Sequence, residues 1–592
     1  MNHETEVLIV GAGPVGLSGA LALGRAGIKC LVLERRAEFS RYPKANGVHA
    51  RTMELFREWG VAEPVKALTA GMPAGVTIAW RTRLNGIEFG SISIEESEEA
   101  RRFFGMLSPE LLSTAGQHEF EPLLAEAADA VDNVTIKLSS EVVSLLIGDD
   151  SVTAEYTDAT GGRHTVGAQY VIGADGIRSV VRRTLGIGEH GQTSLGTAIN
   201  VQFDADMDRY LGDRIIPLVW VANKDTQGAF IRDSPTRWRY NFDIPPGADV
   251  SAVNEERCIR EILQAIGEDI PVKIHYTWSW THDLAVADSW RQGHAFLVGD
   301  ACHHFPPHGG FGLNSGVQDV HNLAWKLVAR LRWNAGDHLL DSYQIERLPV
   351  AEFNGEQMMR NTHELEKTGF LMQDKAFLEA IEAETPEGEQ VRSQLAEGVK
   401  AQQAILSNHG QQFGYLYESD AVVPDGSEIV ESSVPEYRPN TRPGARAPHS
   451  WVTLEGEVVS TIDTYNGGFV LFTGPEDVAW SAAGVRLHQE LGAPVASYAL
   501  GRDLQPVDES IAVLLERYGV EPTGAVLIRP DGFVGFRSAA GSADEYASLR
   551  NALTEILALV TLDSATRAPG SVLIGDREDT TARSYLRART TK

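Results

Sequence analysis

The sequence predicts an α/β protein with a parallel sheet, a region of antiparallel strands and a smaller α/β region at its end. Three observations predict this fold class. Short apolar runs alternate with helically spaced apolar residues over the first 60 residues. Aromatic and β-branched runs dominate residues 190–290. Beyond residue 448, apolar strands again alternate with helical patterns, after a stretch rich in Pro, Ser and Gly.

The first element is a strand–helix–strand unit over residues 6–33, the size of a dinucleotide-binding half. The sequence GAGPVG (residues 11–16) lies between the first strand and the helix. Its first glycine permits the turn, its second lets a pyrophosphate approach the backbone, and its third lets the helix pack on the sheet. Glu34 closes the second strand and can accept hydrogen bonds from ribose hydroxyls. This pattern indicates a Rossmann-like domain; the alternative is a tight glycine turn with an exposed acid.

A second glycine motif follows another apolar strand. Residues 173–176 (GADG) precede Ser179 and Arg182. Two interpretations stay open: Asp175 contacts a cofactor, or the segment is an ordinary strand-to-helix turn in which the aspartate caps the helix.

The third motif, GDACHHFPPHGGFGLNSG at residues 299–316, is the most informative. Asp300 ends a buried strand and can hold a sugar-like polyol. The glycine-rich loop leads into a helix, so its backbone N–H groups can face an anion or an electron-rich ring.

The same motif contains three histidines, which raise the question of a metal site. The spacing of His303, His304 and His308 does not match a zinc-binding helix, and we expect no acidic residue nearby to complete a ligand set. We therefore predict no metal site and interpret His304 and His308 as packed or hydrogen-bonded loop residues. Cys302 is expected to be a small buried filler.

Composition excludes several classes of function. The 592 residues contain 52 Lys and Arg against 81 Asp and Glu, a formal net charge of −29. Such an acidic chain is a poor partner for nucleic acid or an anionic membrane. Three scattered cysteines indicate a reducing compartment, and no run of 18 apolar residues predicts a membrane span. We expect a cytoplasmic protein that binds a small molecule.

The three motifs, in this order, resemble the class A flavin-dependent aromatic hydroxylases, which include para-hydroxybenzoate hydroxylase, phenol hydroxylase and the polyketide hydroxylases. The resemblance covers roughly residues 5–350. In the tail, TRPGARAPHSWV, GGFVLFT and VLIRPDGFVGFR resemble the thioredoxin-like C-terminal domain of the larger members. Since the tail contains no cysteine, that domain is expected to be redox-inactive and to serve stability or assembly.

The resemblance implies a single-component monooxygenase. Bound FAD is reduced by NADH or NADPH and reacts with O2 to give a flavin C4a-hydroperoxide, which hydroxylates a phenolic or other aromatic substrate. The family also implies a homodimer. The main alternative is different chemistry on the same framework, such as Baeyer–Villiger oxidation, epoxidation or modification of an aromatic polyketide or antibiotic. A flavoprotein without activity and a metal hydrolase are further alternatives.

The predicted architecture is a Rossmann-like FAD-binding domain with an interleaved antiparallel-sheet substrate domain and a C-terminal thioredoxin-like α/β domain. The predicted boundaries are 1–75, 100–185 and 285–350 for the FAD-binding domain, 76–99 and 186–284 for the substrate domain, 351–420 for a helical segment, 421–447 for a linker and 448–592 for the thioredoxin-like domain.

The resemblance places FAD contacts on the three motifs and on two further segments, near residues 44–54 and at Gln117. The predicted FAD-binding residues are Gly11, Gly13, Pro14, Val15, Gly16, Glu34, Arg35, Lys44, Arg51, Gln117, Asp175, Asp300, Pro307, Gly310, Gly312, Leu313 and Asn314. Family members hold the adenosine ribose with the residue matching Glu34, and the ribityl and pyrophosphate region with the one matching Asp300. Lys44 or Arg51 is expected to neutralise phosphate.

Catalytic and substrate residues are predicted from chemistry as well as from the resemblance. Phenol hydroxylase has an acid where this chain has Asn46, and an amide cannot act as a base near neutral pH. His49, three residues on, is our candidate acid/base group, because a helix N-terminus favours its neutral form. Arg232, Tyr240 and Trp278 in the strand-rich region are candidate substrate contacts.

Overall fold

The computed structural model describes residues 4–69, 76–94, 98–214, 216–245, 247–369, 374–402, 407–477 and 479–559. The predicted boundary at residue 75 and the predicted end of the last domain, 560–592, lie outside these residues. The chain divides into two compact units, one of residues 1–105, 110–324 and 351–406, the other of 106–109, 325–350 and 407–592. In the described part, no helix is both long and apolar enough to cross a membrane.

Strands and helices up to residue 401 include all the elements that position the site. The strands are β1 (Val7–Val10), β2 (Cys30–Leu33), β3 (Asn46–Val48), β4 (Val76–Arg81), β5 (Glu88–Ile94), β6 (Ser113–Gly116), β7 (Val134–Lys137), β8 (Glu141–Ile147), β9 (Val152–Thr157), β10 (Arg163–Ala168), β11 (Tyr170–Gly173), β12 (Glu189–Asp204), β13 (Leu218–Ala222), β14 (Gln227–Arg232), β15 (Arg237–Ile244), β16 (Lys273–Ala287), β17 (Arg291–Gln292), β18 (Ala295–Leu297) and β19 (His303–His304). The helices are α1 (Pro14–Arg25), α2 (Ala50–Glu58), α3 (Ala62–Leu68), α4 (Glu98–Gly105), α5 (Gln117–Asp129), α6 (Val180–Thr184), α7 (Glu255–Ile266), α8 (Phe311–Arg332), α9 (His338–Glu366), α10 (Lys375–Glu382) and α11 (Pro386–Ala401).

A six-stranded sheet, in the order β17-β18-β11-β1-β2-β7, forms the core of the first unit. The strands from β18 to β7 are parallel to their neighbours, and β17 is an antiparallel edge strand. Every residue of β1 and β2 is buried, as expected for strands covered on both faces. With α1 between these two strands, the predicted Rossmann-like unit is confirmed.

The second large sheet has eight strands in the order β19-β16-β12-β15-β14-β13-β4-β5. Its pairs are antiparallel except β13 with β4, so the predicted, mostly antiparallel sheet is confirmed. One face packs against α7 in an apolar core. That core includes Ile199, Val201, Phe203, Phe230, Trp238, Tyr240, Phe242, Cys258 and Ile262.

The opposite face of this sheet has a different composition. One cross-strand row of register partners runs through Trp278, Asn200, Asn241, Ala229 and Trp220. Register partners share a face, and successive residues of a strand alternate between faces. This face, which we call the aromatic–amide face, is therefore the one that does not pack on α7.

The second unit contains a smaller α/β arrangement. Its strands are β20 (Trp451–Leu454), β21 (Glu457–Ser460), β22 (Phe469–Thr473), β23 (Val495–Ala499), β24 (Gln505–Pro506), β25 (Ala525–Ile528) and β26 (Val534–Ser538), and its later helices are α12 (His409–Phe413), α13 (Ala479–Leu491), α14 (Ile511–Tyr518) and α15 (Glu545–Ile556). A four-stranded sheet has the order β23-β22-β25-β26 with only β22 and β23 parallel. A βαβ unit followed by two antiparallel strands and a helix is compatible with the thioredoxin-like prediction.

Residues 421–447, which we predicted as a linker, are packed within the second unit. The backbone is irregular, as the Pro and Gly content predicts, but Ala421, Tyr437 and Arg446 are buried. The N–H of Gly444 donates to the carbonyl of Val534 over 2.8 Å, so the stretch is bonded to β26. Proline and glycine specify irregular backbone here, and apolar side chains between them still bury the segment.

A fully buried charge network also belongs to the second unit. Arg529 Nη1 lies 2.6 Å from Glu346 Oε1, and Lys326 Nζ lies 2.7 Å from Glu346 Oε2. Asp531 accepts from the other side of the Arg529 guanidinium. Burial lowers the pKa of Lys326 to about 8, against the raising effect of Glu346. Two cations and two anions therefore compensate one another away from water.

Candidate active site

Three loops meet at the carboxyl ends of neighbouring parallel strands β1, β11 and β18. A Cβ on Gly11 would lie 2.4 Å from the carbonyl oxygen of Ala174, and a Cβ on Gly316 would lie 2.7 Å from Cγ2 of Val15. Each contact is too close for any residue but glycine. The first motif therefore touches both of the others, and their predicted convergence is confirmed.

The GAGPVG loop has the shape that a pyrophosphate requires. Gly11 has φ = 104°, which only glycine adopts without strain, and a Cβ on Gly16 would lie 2.0 Å from the Gly11 carbonyl. A Cβ on Gly13, in contrast, would meet no atom within 4 Å. This open position lies at the N-terminus of the 12-residue helix α1, whose N–H groups favour an anion.

Glu34 is fixed at the end of β2. Its Oε2 accepts the Ala12 N–H at 2.8 Å, and its Oε1 accepts both the backbone N–H and the Nε–H of Arg36 at 2.9 Å. Burial alone would raise the pKa of Glu34, but these hydrogen bonds and the Arg36 charge lower it. Arg35, our predicted contact, is exposed and makes no hydrogen bond or ion pair with a described residue. The arginine that contacts Glu34 is the next residue, Arg36.

Gln117 begins α5 and belongs to a small polar cluster. Its Nε2 donates to Glu121 Oε2 at 2.7 Å, and Glu121 Oε1 accepts the Ser40 N–H at 3.0 Å. Burial and the Arg36 charge lower the pKa of Lys44, whereas Glu121, Asp300 and Glu34 raise it. Lys44 is thus near these three carboxylates and is solvent-accessible, as a phosphate-neutralising group must be.

The two predicted aspartates differ in their surroundings. Asp300 is exposed and accepts no hydrogen bond from a described residue, so its carboxylate remains accessible to a polyol. Asp175 Oδ2 accepts the N–H groups of Val180 and Val181 at 2.6 and 3.2 Å, the first turn of α6. Burial raises its pKa. One carboxylate oxygen of Asp175 therefore caps α6, which supports the helix-capping interpretation.

Asn314 holds two segments together. Its Oδ1 accepts the His49 N–H at 2.9 Å, while its Nδ2 donates to the carbonyls of Gly47 and Gly310 at 3.0 and 2.7 Å. His49 Nε2 makes a second tie, 3.1 Å from the Gly309 carbonyl. A carbonyl only accepts, so this nitrogen is the N–H donor. Asn314 and His49 thus fix the glycine loop against the start of α2.

The remaining predicted residues of the third motif lie where α8 begins. Pro307 and Gly310 are exposed, and Gly312 and Leu313 are half-buried. A Cβ on Gly312 would meet nothing within 4 Å. Like Gly13, this position leaves room for a ligand at a helix N-terminus.

Comparison with known proteins identifies the family. The FAD binding domain family matches residues 4–360, and the family described as aromatic-ring hydroxylase, C-terminal, matches residues 440–558. The chain belongs to the FAD-dependent aromatic-ring hydroxylases.

Relatives of this hydroxylase span nearly its whole length. It is 35% identical to tetracenomycin A2 monooxygenase-dioxygenase of Streptomyces glaucescens, with 94% of this chain and 97% of the relative covered. It is 31% identical to 2,4-dichlorophenol 6-monooxygenase of Delftia acidovorans, with 94% and 98% covered. The flavin-dependent monooxygenase PieE, solved in complex with FAD and substrate, matches at 33% identity with a TM-score of 0.85, over 94% of this chain and 99% of that one.

The cleft of this hydroxylase fits FAD, which the family binds. The open glycine positions suit the pyrophosphate, and Glu34 and Asp300 suit the two sugar-like parts of the cofactor. Glu121 and Arg36 were missed in the sequence. Glu121 could have been found, because it lies four residues after Gln117 on the predicted helix and faces the same side.

Arg51 and Asn46, two predicted site residues near α2, differ in burial. Arg51 is buried, with its Nη1 2.8 Å from Glu54 Oε2. A carboxylate thus already balances its charge, which leaves Lys44 as the better phosphate partner. Asn46 lies on β3 opposite Gly116, and its side chain is exposed. It belongs to the segment that the Asn314 side chain ties to the glycine loop through Gly47 and His49, which we call the Asn314 clamp.

The three predicted substrate residues lie on different faces of the eight-stranded sheet. Trp278 lies on the aromatic–amide face, where its ring centroid is 5.3 Å from that of Tyr42. Tyr240 lies on the α7 face, wholly buried, with its hydroxyl 2.9 Å from that of Thr226. Arg232 shares that face through its register partner Trp238 and pairs with Asp208. Alternation along the strands therefore turns Tyr240 and Arg232 away from the aromatic–amide face, and their contact with substrate stays a prediction.

The histidine interpretation needs one correction. His303 Nε2 lies 2.6 Å from Asp319 Oδ2, and both side chains are fully buried. With Cys302, these residues form a group whose potential ligand atoms lie within 4.8 Å of one another. The expectation that no acidic residue lies near His303 is wrong, because α8 brings Asp319 back from 16 positions away. Cys302 is buried, as predicted.

Proposed function

We propose that this hydroxylase oxidises an extended phenolic substrate of several fused rings, using NAD(P)H and O2. The observation that carries this proposal is the aromatic–amide face, with half-buried Trp278 on β16 and Trp220 on β13 at the ends of one row. Four strand spacings separate β16 from β13, which is about 19 Å along the sheet at ~4.8 Å each. The Trp220 end packs partly against an apolar cluster that includes Leu365 and Leu378, so the part of the row toward Trp278 is left for a substrate, and it is still wider than a single benzene ring.

Several relatives are named for a polyketide, for tetracenomycin or for aklavinone, which supports the proposal. They include tetracenomycin B2 monooxygenase-dioxygenase of Streptomyces olivaceus, 34% identical over 94% of this chain, and an aklavinone-11 hydroxylase solved with FAD and aklavinone, with a TM-score of 0.79. Monooxygenases named for dichlorophenol and nitrocatechol match as well. The relatives thus differ in the substrates for which they are named.

FAD, when bound, takes a hydride from NAD(P)H and activates O2 for transfer to the ring. The protein supplies binding, orientation and exclusion of water. Glu34, Lys44 and Asp300 hold the polar parts of the cofactor, and Asn314 and His49 fix the glycine loop. Trp278 provides a flat apolar surface for the rings, which also displace water that would otherwise compete in the reaction.

A substrate panel tests the proposal. Purified holoenzyme is given phenol, 4-hydroxybenzoate, 2,4-dichlorophenol, 1-naphthol and 1-hydroxyanthraquinone, with NADH and NADPH in parallel. We expect the fused-ring phenols to stimulate NAD(P)H oxidation most and to give ring-hydroxylated product with little hydrogen peroxide. A higher kcat/KM for any single-ring phenol would overturn the proposed substrate class, and a lactone or epoxide product would overturn hydroxylation. Light scattering tests the expected homodimer.

A further inference from the structure

His308 has a side chain that the function above does not use. It lies in the glycine loop two residues before Gly310, on the side of the aromatic–amide face. Its ring centroid is 6.3 Å from that of Trp220 and 6.4 Å from that of His282, with the two imidazoles nearly parallel at 14°. From the sequence we interpreted it as a packed loop residue.

The hydrogen bonds around His308 define its tautomer. The Thr362 hydroxyl on α9 donates its only proton to the Met358 carbonyl at 2.9 Å. His308 Nδ1 lies 2.8 Å from the same hydroxyl oxygen, which can therefore only accept. Nδ1 carries the proton, and Nε2 of a neutral imidazole keeps its lone pair.

The surroundings keep the ring neutral. Burial, and then the neighbouring His282, lower the pKa of His308 to about 4, against the raising effect of Asp243. On β16 and β15, His282 Nε2 lies 3.0 Å from Asp243 Oδ1. On α9, the contacting side chains of Thr362 and Asn361 are uncharged, and Asn361 Nδ2 donates to the His308 carbonyl at 3.0 Å. The loop is held and its imidazole is a hydrogen-bond acceptor at neutral pH.

Three of the other histidines near the site have their Nε2 engaged. His49 Nε2 donates to the Gly309 carbonyl, His282 Nε2 bonds to Asp243, and His303 Nε2 bonds to Asp319. Among these four histidines of the described chain, only His308 has an Nε2 for which the structure shows no hydrogen bond. A ring nitrogen of this kind beside an aromatic surface suits a phenolic hydroxyl.

We propose that His308 Nε2 accepts a hydrogen bond from a substrate hydroxyl and thereby orients the ring for oxygenation. The inference rests on the proposed function. The hydroxyl shares its proton with Nε2 without net transfer, and this interaction increases electron density on the ring. A site built around an unpaired acceptor rejects an analogue that lacks the donor. His308 is thus a specificity-determining residue for hydroxylated aromatics.

The test compares 2-hydroxyanthraquinone, whose hydroxyl cannot reach the quinone carbonyls and so remains a free donor, with its methyl ether, 2-methoxyanthraquinone, on holoenzyme. Kd is measured from the change in flavin absorbance on binding, and kcat/KM from product formation. We expect wild type to prefer the hydroxyl compound by at least about 10-fold, as one hydrogen bond permits. His308→Phe removes the acceptor and is expected to abolish the preference in both Kd and kcat/KM. His308→Gln offers an amide oxygen and is expected to retain part of it.

Controls separate this role from a structural one. FAD content and the flavin spectrum verify that each variant is folded. Thr362→Val removes the oxygen that fixes the tautomer and is expected to reduce the preference several-fold; this variant decides the question if His308→Phe does not fold. An unchanged preference in His308→Phe, or in Thr362→Val as the substitute, would overturn the inference. If wild type turns over neither compound, the proposed substrate class fails instead.

Discussion

Two polar regions of this hydroxylase differ in how their charges are satisfied. In the second unit, Lys326, Glu346, Arg529 and Asp531 are wholly buried and fully paired with one another. In the cofactor cleft of the first unit, Asp300 and Lys44 are solvent-accessible, and Asp300 has no hydrogen-bond donor among the described residues.

The difference distinguishes a structural role from a binding role. A charge withdrawn from water needs a partner in the protein, so a closed network contributes to a unique packing and leaves nothing for a ligand. A carboxylate that keeps its access to solvent can exchange water for the hydroxyls of a cofactor at little cost. Substitutions in the two regions should therefore affect different measurements.

The largest effect is expected in the buried network. Glu346→Gln leaves the Arg529 and Lys326 charges poorly compensated, which should lower the free energy of unfolding by about 3–5 kcal/mol. Urea denaturation followed by circular dichroism measures it. Glu397→Gln, at the exposed pair with Lys400, is the matched control and should change little. Equal stability of the two variants would show that the network is dispensable.

The next effect is expected in the cleft, and on cofactor retention rather than stability. Asp300→Ala removes an accessible acceptor, so FAD affinity should fall on the order of 10- to 100-fold, the worth of a charged hydrogen bond. Dialysis and flavin absorbance measure retention. Asp149→Ala, an exposed aspartate elsewhere in the same unit, is the control. If Asp300→Ala retains FAD and activity, our assignment of the third motif is wrong.

The clamp residues should show an intermediate effect. Asn314→Ala removes the two hydrogen bonds that tie the glycine loop to Gly47 and His49, and a third within the loop to Gly310, so we expect more NADPH or NADH consumed per product formed, with the difference released as hydrogen peroxide. His49→Ala removes only one tie and should uncouple less. The reverse order would contradict this role of Asn314, and a flattened pH–rate profile for His49→Ala would support our prediction of an acid/base role.

His308 should make the free energy of unfolding depend on pH. Burial lowers the pKa of His308 from the ordinary histidine value of 6.5 to about 4 in the folded protein, so between these two pH values the unfolded chain binds one more proton. The stability that the neutral His308 side chain contributes is fully present above pH 6.5 and is lost as the pH falls toward 4. The slope of unfolding free energy against pH in this window should be smaller in His308→Gln than in wild type. Identical slopes would refute the assigned neutral state.

The smallest effect is expected for Tyr240→Phe. This substitution removes one buried hydrogen bond to Thr226, which should cost about 1 kcal/mol of stability. Because Tyr240 lies on the α7 face, kcat/KM should not change, whereas Trp278→Ala on the aromatic–amide face should lower it. A loss of activity in Tyr240→Phe at unchanged FAD content would overturn our assignment of the faces.

Local sequence was sufficient to predict the structure where the residues that determine it lie close together in the chain. The GAGPVG turn depends on glycine at positions where a Cβ would meet backbone 2.0–2.4 Å away, so spacing alone identified the loop and the strand–helix–strand unit around it. Alternation and aromatic content identified the antiparallel sheet. Family resemblance added FAD and the reaction class, since three motifs in fixed order are specific even though each one alone is weak.

Tertiary structure decided on which side of each element a residue lies and which residues it contacts. Tyr240 and Trp278 both belong to aromatic-rich strands, but the register of β12, β15 and β16 places them on opposite faces. Likewise, only the path of α8 and α9 brings Asp319 to His303 and Thr362 to His308. Residue types determine what a side chain can do; contacts between residues far apart in the chain determine where it does so, because register and helix packing are set by the whole core.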